Sequence, residues 1–142
     1  MVSNRKEKAV LIITIFLIVA IGIFIFLFKP CDVRSSSDIL IDVVPISSNS
    51  LQVTIHNNSP FPVSFSENYH IEAKTLLLWH EVNLRSSAFT SLGHELSPGG
   101  SYSISVDYSD IYGVLSPGQY RLVKTFKYNN ISTSFAGYFS IK

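Results

Sequence analysis

The sequence predicts an all-β antiparallel sandwich of about seven strands, preceded by one N-terminal transmembrane helix. Three observations lead there. An uncharged, proline-free apolar run fills residues 9–28, and as a helix rising about 1.5 Å per residue it matches a bilayer core of about 30 Å. From Asp38 onward apolar and polar residues alternate, the period of half-buried strands. Turn residues recur between these runs roughly every 8–12 residues and no helical period interrupts them, which is the pattern of a sandwich.

Residues 1–8 are polar and carry Arg5, Lys6 and Lys8, while Lys29 and Arg34 follow the apolar run. More cations before the run than after it place the N-terminus in the cytoplasm and the remainder outside. A cleaved signal peptide has a shorter apolar region, about 7–15 residues, and ends in a small-x-small site; Phe26-Leu27-Phe28-Lys29-Pro30 offers none. Lipidation of Cys31 needs a small residue directly before it, where this chain has Pro30, so Cys31 is read as a free thiol. The Gly-Phe-x-x-x-Glu pattern of a pilin leader is missing. Residues 29–37 are then a linker reaching about 30 Å when extended, and residues 38–142 are the folded domain.

In that domain Ile39, Ile41 and Val43 form a first apolar face, and Leu51, Val53 and Ile55 a second. Val63 and Phe65 continue the alternation, Tyr69, Ile71 and Ala73 lead to a bend expected at Lys74-Thr75, and Leu76 to Val82 returns as a hairpin partner. Residues 83–93 read as irregular. Tyr102, Ile104 and Val106 alternate with serines, Asp107 to Gly113 reads as a helical turn or a loop, and Phe135, Phe139 and Ile141 mark the last strand. LSPG occurs at Leu96–Gly99 and at Leu115–Gly118, in both cases with Pro and Gly where a type II turn uses them, glycine at positive φ.

Composition excludes several classes. From Asp32 onward seven Lys/Arg face nine Asp/Glu, a net −2, so the basic footprint of a nucleic-acid binder is absent. One cysteine leaves no disulfide within the chain. His56, His70, His80 and His94 show no short metal-ligand spacing, and no nucleophile elbow is present, so no metal, cofactor or catalytic residue is assigned. Asn57-Asn58-Ser59 and Asn130-Ile131-Ser132 match the glycosylation sequon.

Over nearly all of residues 38–142 the chain resembles the bacterial Ig-like domain family. The residues that carry the resemblance are Leu96, Pro98, Gly99, Val106, Asp107, Tyr108, Tyr112, Gly113, Leu115, Pro117, Gly118, Tyr120, Arg121, Leu122, Lys124 and Phe126, with Asn57 to Ala73 and Trp79 upstream. Tyr108 stands where the family more often has Trp. The resemblance implies an immunoglobulin-like sandwich in an extracytoplasmic recognition or scaffolding role, with no catalytic residues to carry over. Gly118-Gln119-Tyr120 looks like the Gly-x-Tyr of a tyrosine corner, and Leu122 falls where antibody domains have a disulfide cysteine. Pro117, Gly118, Tyr120, Leu122 and Gly99 are therefore expected to be structural.

Trp79, Phe89, Tyr112 and Lys124 are the candidate recognition residues. Lys124 shares a strand face with Tyr120, Leu122 and Phe126, so its ammonium is expected to reach the sandwich end or a carboxylate, Glu72 or Asp107. The expected function is a non-enzymatic, single-pass membrane protein presenting the domain to a protein or cell-envelope partner. The alternative is a ligand or peptide sensor, or accessory subunit, coupled through its helix to a membrane partner.

Overall fold

The computed structural model describes residues 3–27, 32–34, 36–86, 92–128 and 130–142. Two compact units divide the chain, residues 1–30 and 31–142. The first contains helix α1 (Ser3–Leu27). Its described apolar side chains, from Val10 to Ile23, are all more than half exposed. Among the described residues no helix is long and apolar enough to cross a membrane. Phe28 to Cys31, including the thiol of the sequence reading, lie outside the described residues.

Among the described residues the second unit is a sandwich of nine strands rather than about seven. They are β1 (Ile39–Pro45), β2 (Ser50–Asn57), β3 (Val63–Ser66), β4 (His70–Thr75), β5 (Leu78–Glu81), β6 (Gly93–Leu96), β7 (Ser101–Asp107), β8 (Gly118–Tyr128) and β9 (Ile131–Ile141), with a one-turn helix α2 (Ser109–Tyr112) before β8. One sheet has the order β1-β2-β7 and the other β5-β4-β8-β3-β6, with β9 along the other edge of β8. The count rises because β4 and β3 share one edge of the 11-residue β8, at Tyr120–Val123 and Phe126–Lys127. It also rises because β6, at the end of the segment read as irregular, pairs with β3.

Alternation decides the core. Ile39, Ile41 and Val43 pair across β1–β2 with Asn57, Ile55 and Val53, and their side chains are buried together with Phe65, Ile71, Leu122, Phe126, Phe135 and Phe139. In β9 Gly137 separates Phe135 from Phe139 for a physical reason: a Cβ there would stand 2.5 Å from the Ile41 carbonyl oxygen. Only a residue without a side chain lets β1 close against β9. Just upstream, Val33 forms a parallel bridge with Ser134, and Arg34 donates from its backbone N–H to the Ser134 carbonyl (2.9 Å).

The two LSPG copies differ. Gly99 has φ +73° and the Gly100 N–H donates to Ser97 O (2.9 Å), so the first copy is the expected turn. Gly118 instead opens β8 without positive φ, and the left-handed residue of that connection is Gly113 (φ +74°), upstream of the motif. The hairpin bend also lies elsewhere than expected. Thr75 pairs with Leu78, so the two-residue turn is Leu76-Leu77 rather than Lys74-Thr75, with Leu76 at φ +56°.

Candidate recognition site on the outer sheet face

Period two places Glu72 of β4 and Arg121 of β8 directly opposite each other with both side chains pointing away from the core. An outward pair is ordinarily solvated, yet Glu72 is 2% and Arg121 6% exposed. The cover comes from β5, where the Trp79 ring lies 4.8 Å from the guanidinium carbon, within cation–π range. Arg121 Nε and Nη2 both donate to Glu72 Oε2 (2.6 and 2.5 Å), and His70 Nε2 stands 3.2 Å from Oε1. Tyr138 of β9, 60% exposed, meets the Trp79 ring at 5.6 Å between centroids. Lys74 Nζ approaches the same ring at 5.8 Å. Lys74, Trp79, Gln119, Tyr138 and Ser140 line a shallow groove over this face. A buried ion pair contributes little net stability against an apolar replacement; here it fixes the orientation of an aromatic plate.

The hairpin carrying Trp79 ends in an apolar point. Leu76 and Leu77 are 92% and 90% exposed. Leu76 also occupies the left-handed region, where a non-glycine side chain costs about 1–2 kcal/mol, at the turn position where glycine is usual.

The sequence-derived candidates are scattered. Trp79 lies on the outer face just described. Tyr112 is buried; its hydroxyl accepts from Ile71 N (3.2 Å) and donates to Tyr69 O (3.4 Å), so it braces α2 against β4 instead of facing a partner. Phe89 lies outside the described residues. Lys124 points inward, and its expected carboxylate partners are both engaged elsewhere: Glu72 faces outward to Arg121, and Asp107 accepts from Ser109 N and Oγ. Its ammonium instead donates to Ser66 O (2.6 Å) and Asn68 O (3.1 Å) and lies 5.4 Å from the Phe65 ring centroid. Burial pushes the Lys124 pKa down to about 8, with nearby Glu67 opposing the shift.

Among the residues expected to be structural, Tyr120 donates its hydroxyl to Ser116 O (2.6 Å), Gly118 lies against the Tyr120 ring, and Leu122 is buried opposite Ile71. Pro117 and Gly99 are exposed turn residues. Tyr108 is fully buried and donates to Ser48 O (2.8 Å). Asn57, the first residue of a sequon, is also fully buried; its amide donates to Phe61 O and Leu96 O (2.8 and 2.9 Å), so both N–H groups are committed.

On the outer face of the smaller sheet Asp42, His56 and Ser101 fall in line, with Asp42 Oδ2 3.3 Å from His56 Nε2 and Ser101 Oγ 2.8 Å from His56 Nδ1. This order of groups is that of a hydrolase relay, but nucleophilic catalysis also needs oriented donors for the oxyanion and exclusion of water. These residues lie on a solvent-facing sheet surface, Asp42 and Ser101 exposed and His56 partly so, and act as a polar cross-strand ladder.

Residues 38–136 match the bacterial Ig-like domain family. The chain belongs to that family. The bacterial Ig-like domain thus takes in the sandwich up to the last five residues of β9, 137–141. No curated protein sequence matches the chain. Among solved structures it is similar to the archaellum periplasmic stator protein complex FlaF and FlaG from Sulfolobus acidocaldarius, at 19% identity and TM-score 0.42, covering 76% of this chain and 95% of that one. It is also similar to the GAE domain of GGA2p from Saccharomyces cerevisiae, at 12% identity and TM-score 0.33, covering 78% and 95%.

Sequence reasoning missed the pairing of Glu72 with Arg121, and missed Tyr138, Leu76 and Leu77 as surface residues. Glu72 and Arg121 had a usable signal, since each sits at an outward position of a strand flanked on both sides by apolar residues. The leucine turn had the opposite of one, because turn residues are what mark turns.

Proposed function

We propose that the chain is a single-pass, membrane-anchored, extracytoplasmic module that recognises a protein or another component of the cell envelope and is not an enzyme. The observation that carries the recognition reading is the outer face of the larger sheet. A buried Glu72–Arg121 pair holds Trp79 beside Tyr138 and an exposed leucine turn on a surface that the core does not need. Oriented aromatic and arginine residues next to apolar side chains are the composition of protein contact surfaces.

The anchor is read from the sequence, whose apolar run continues past Ile23, the last residue of α1 with a described side chain. A helix apolar on all sides needs an apolar surround. Cys31, the sole cysteine, tests the topology. An impermeant maleimide should label it in intact cells, and the chain should stay with membranes after alkaline carbonate extraction; labelling only after lysis overturns the extracytoplasmic placement. Exchanging residues 9–28 for an unrelated span should leave partner capture unchanged. Loss of capture would replace recognition by the domain with sensing through the helix.

A further inference from the structure

We propose that the Leu76–Leu77 turn is a docking point that seats in an apolar pocket of a partner protein, with carboxylates on the pocket rim. This rests on the recognition reading above and names the kind of partner it serves.

Two features of the turn are unfavourable in the domain alone. Leu76 holds a left-handed φ of +56°, and both leucines are about nine-tenths exposed, 92% and 90%. Neither packs the core, and glycine would relieve the first while any polar residue would relieve the second. A surface that removes the leucines from water gives both a purpose. The turn is also rigid, since Thr75 pairs with Leu78 and β4 is laddered to β8, so little conformational freedom is lost on seating.

The occupant follows from shape, charge and position. A turn is convex, so its complement is concave. Lys74 stands beside it over Trp79, and Glu72, two residues back on the same face, is committed to Arg121 and His70, so the base of the turn presents a cation. Arg34, where the chain joins the sandwich, donates to the Tyr128 hydroxyl at the far end of β8 (3.1 Å). Counting along β8 and β4, the leucines lie about 35 Å from that point, turned away from the N-terminal attachment. A bilayer is a poor occupant because two side chains add less apolar area than a single acyl chain, which itself binds only marginally. A second copy is a poor one because β5, the strand beside the turn, offers an edge of only four residues.

The test uses the full chain in intact cells with Leu77→benzoylphenylalanine. Irradiation should give one discrete heavier adduct with a second protein. That adduct should fall about tenfold or more with Leu76→Gly and about threefold or more with Lys74→Glu, while Leu76→Gly keeps or raises the melting temperature. The same photoprobe at Val114, 82% exposed on another loop, should give no such adduct. Adducts with lipid alone, a species of twice the chain's mass, or an adduct indifferent to both substitutions overturn the proposal. With the probe at Tyr138, a protein adduct in the absence of one at position 77 sinks the docking point and keeps the recognition reading; absence at both sinks the two together.

Discussion

Arg121 and Lys124 stand three residues apart on β8, both about 6% exposed, on opposite faces of one sheet. The outward cation is balanced by charge, through Glu72 and the Trp79 ring. The inward one donates to the Ser66 and Asn68 carbonyls, with the Glu67 carboxylate nearby. Burial strips water from the Lys124 ammonium, carbonyl oxygens only partly replace it, and its pKa falls to about 8 against the opposing pull of Glu67. One strand therefore carries a carboxylate-paired cation facing outward and a carbonyl-held cation facing inward.

The largest effect should come from breaking the charge-balanced side. Glu72→Ala leaves the Arg121 guanidinium buried without a carboxylate, and about 3–5 kcal/mol of stability should be lost in denaturant unfolding. Arg121→Lys keeps the charge but loses the two-donor contact to Glu72 and the guanidinium's approach to the Trp79 ring; about 1–2 kcal/mol is expected, with a red shift of Trp79 emission as its cover loosens. Tyr120→Phe, on the inward face at the start of β8, removes the hydroxyl bond to Ser116. It should cost about 1 kcal/mol, lowering the melting temperature by a few degrees, and leave partner binding alone. An unchanged melting temperature would remove the corner argument.

The smallest effect at neutral pH belongs to Lys124→Met, within about 1 kcal/mol because desolvation of the charge disappears along with its two hydrogen bonds. Its signature is pH dependence. The folded pKa of Lys124 lies near 8, below the ordinary 10.5. Between those values the unfolded chain holds the proton and the folded one releases it, so stability should rise with pH from about 8 toward 10. Lys124→Met should abolish that rise. Above about 10 the sign reverses: burial raises Tyr112 to about 12 and Tyr69 further, so folded phenols keep protons that unfolded ones lose. A parent curve flat between pH 8 and 10 would erase the distinction between the two cations.

The sandwich was legible because its information is local and periodic. Ile39-Ile41-Val43 and Leu51-Val53-Ile55 mark inward faces by alternation alone, and Pro98-Gly99 marks a turn by residue type. What the sequence did not show is pairing across distance. Glu72 belongs to Arg121 rather than Lys124 because of strand register, and an error of one residue in β8 exchanges the two faces. Tyr112, a surface candidate by type, was drawn inside by two backbone partners on β4 and just before it.

Strand β8, paired along its whole length with β9, also bears on how the domain would carry force. The chain joins at Val33 beside Ser134 and the leucine turn projects past the opposite end of β8, so tension between these points runs along the strands. Inter-strand hydrogen bonds lie across that direction and are loaded together in shear instead of being unzipped singly. Under such tension the eleven register pairs of β8–β9 would share the load, and the four pairs joining β4 to β8 would be the first to give.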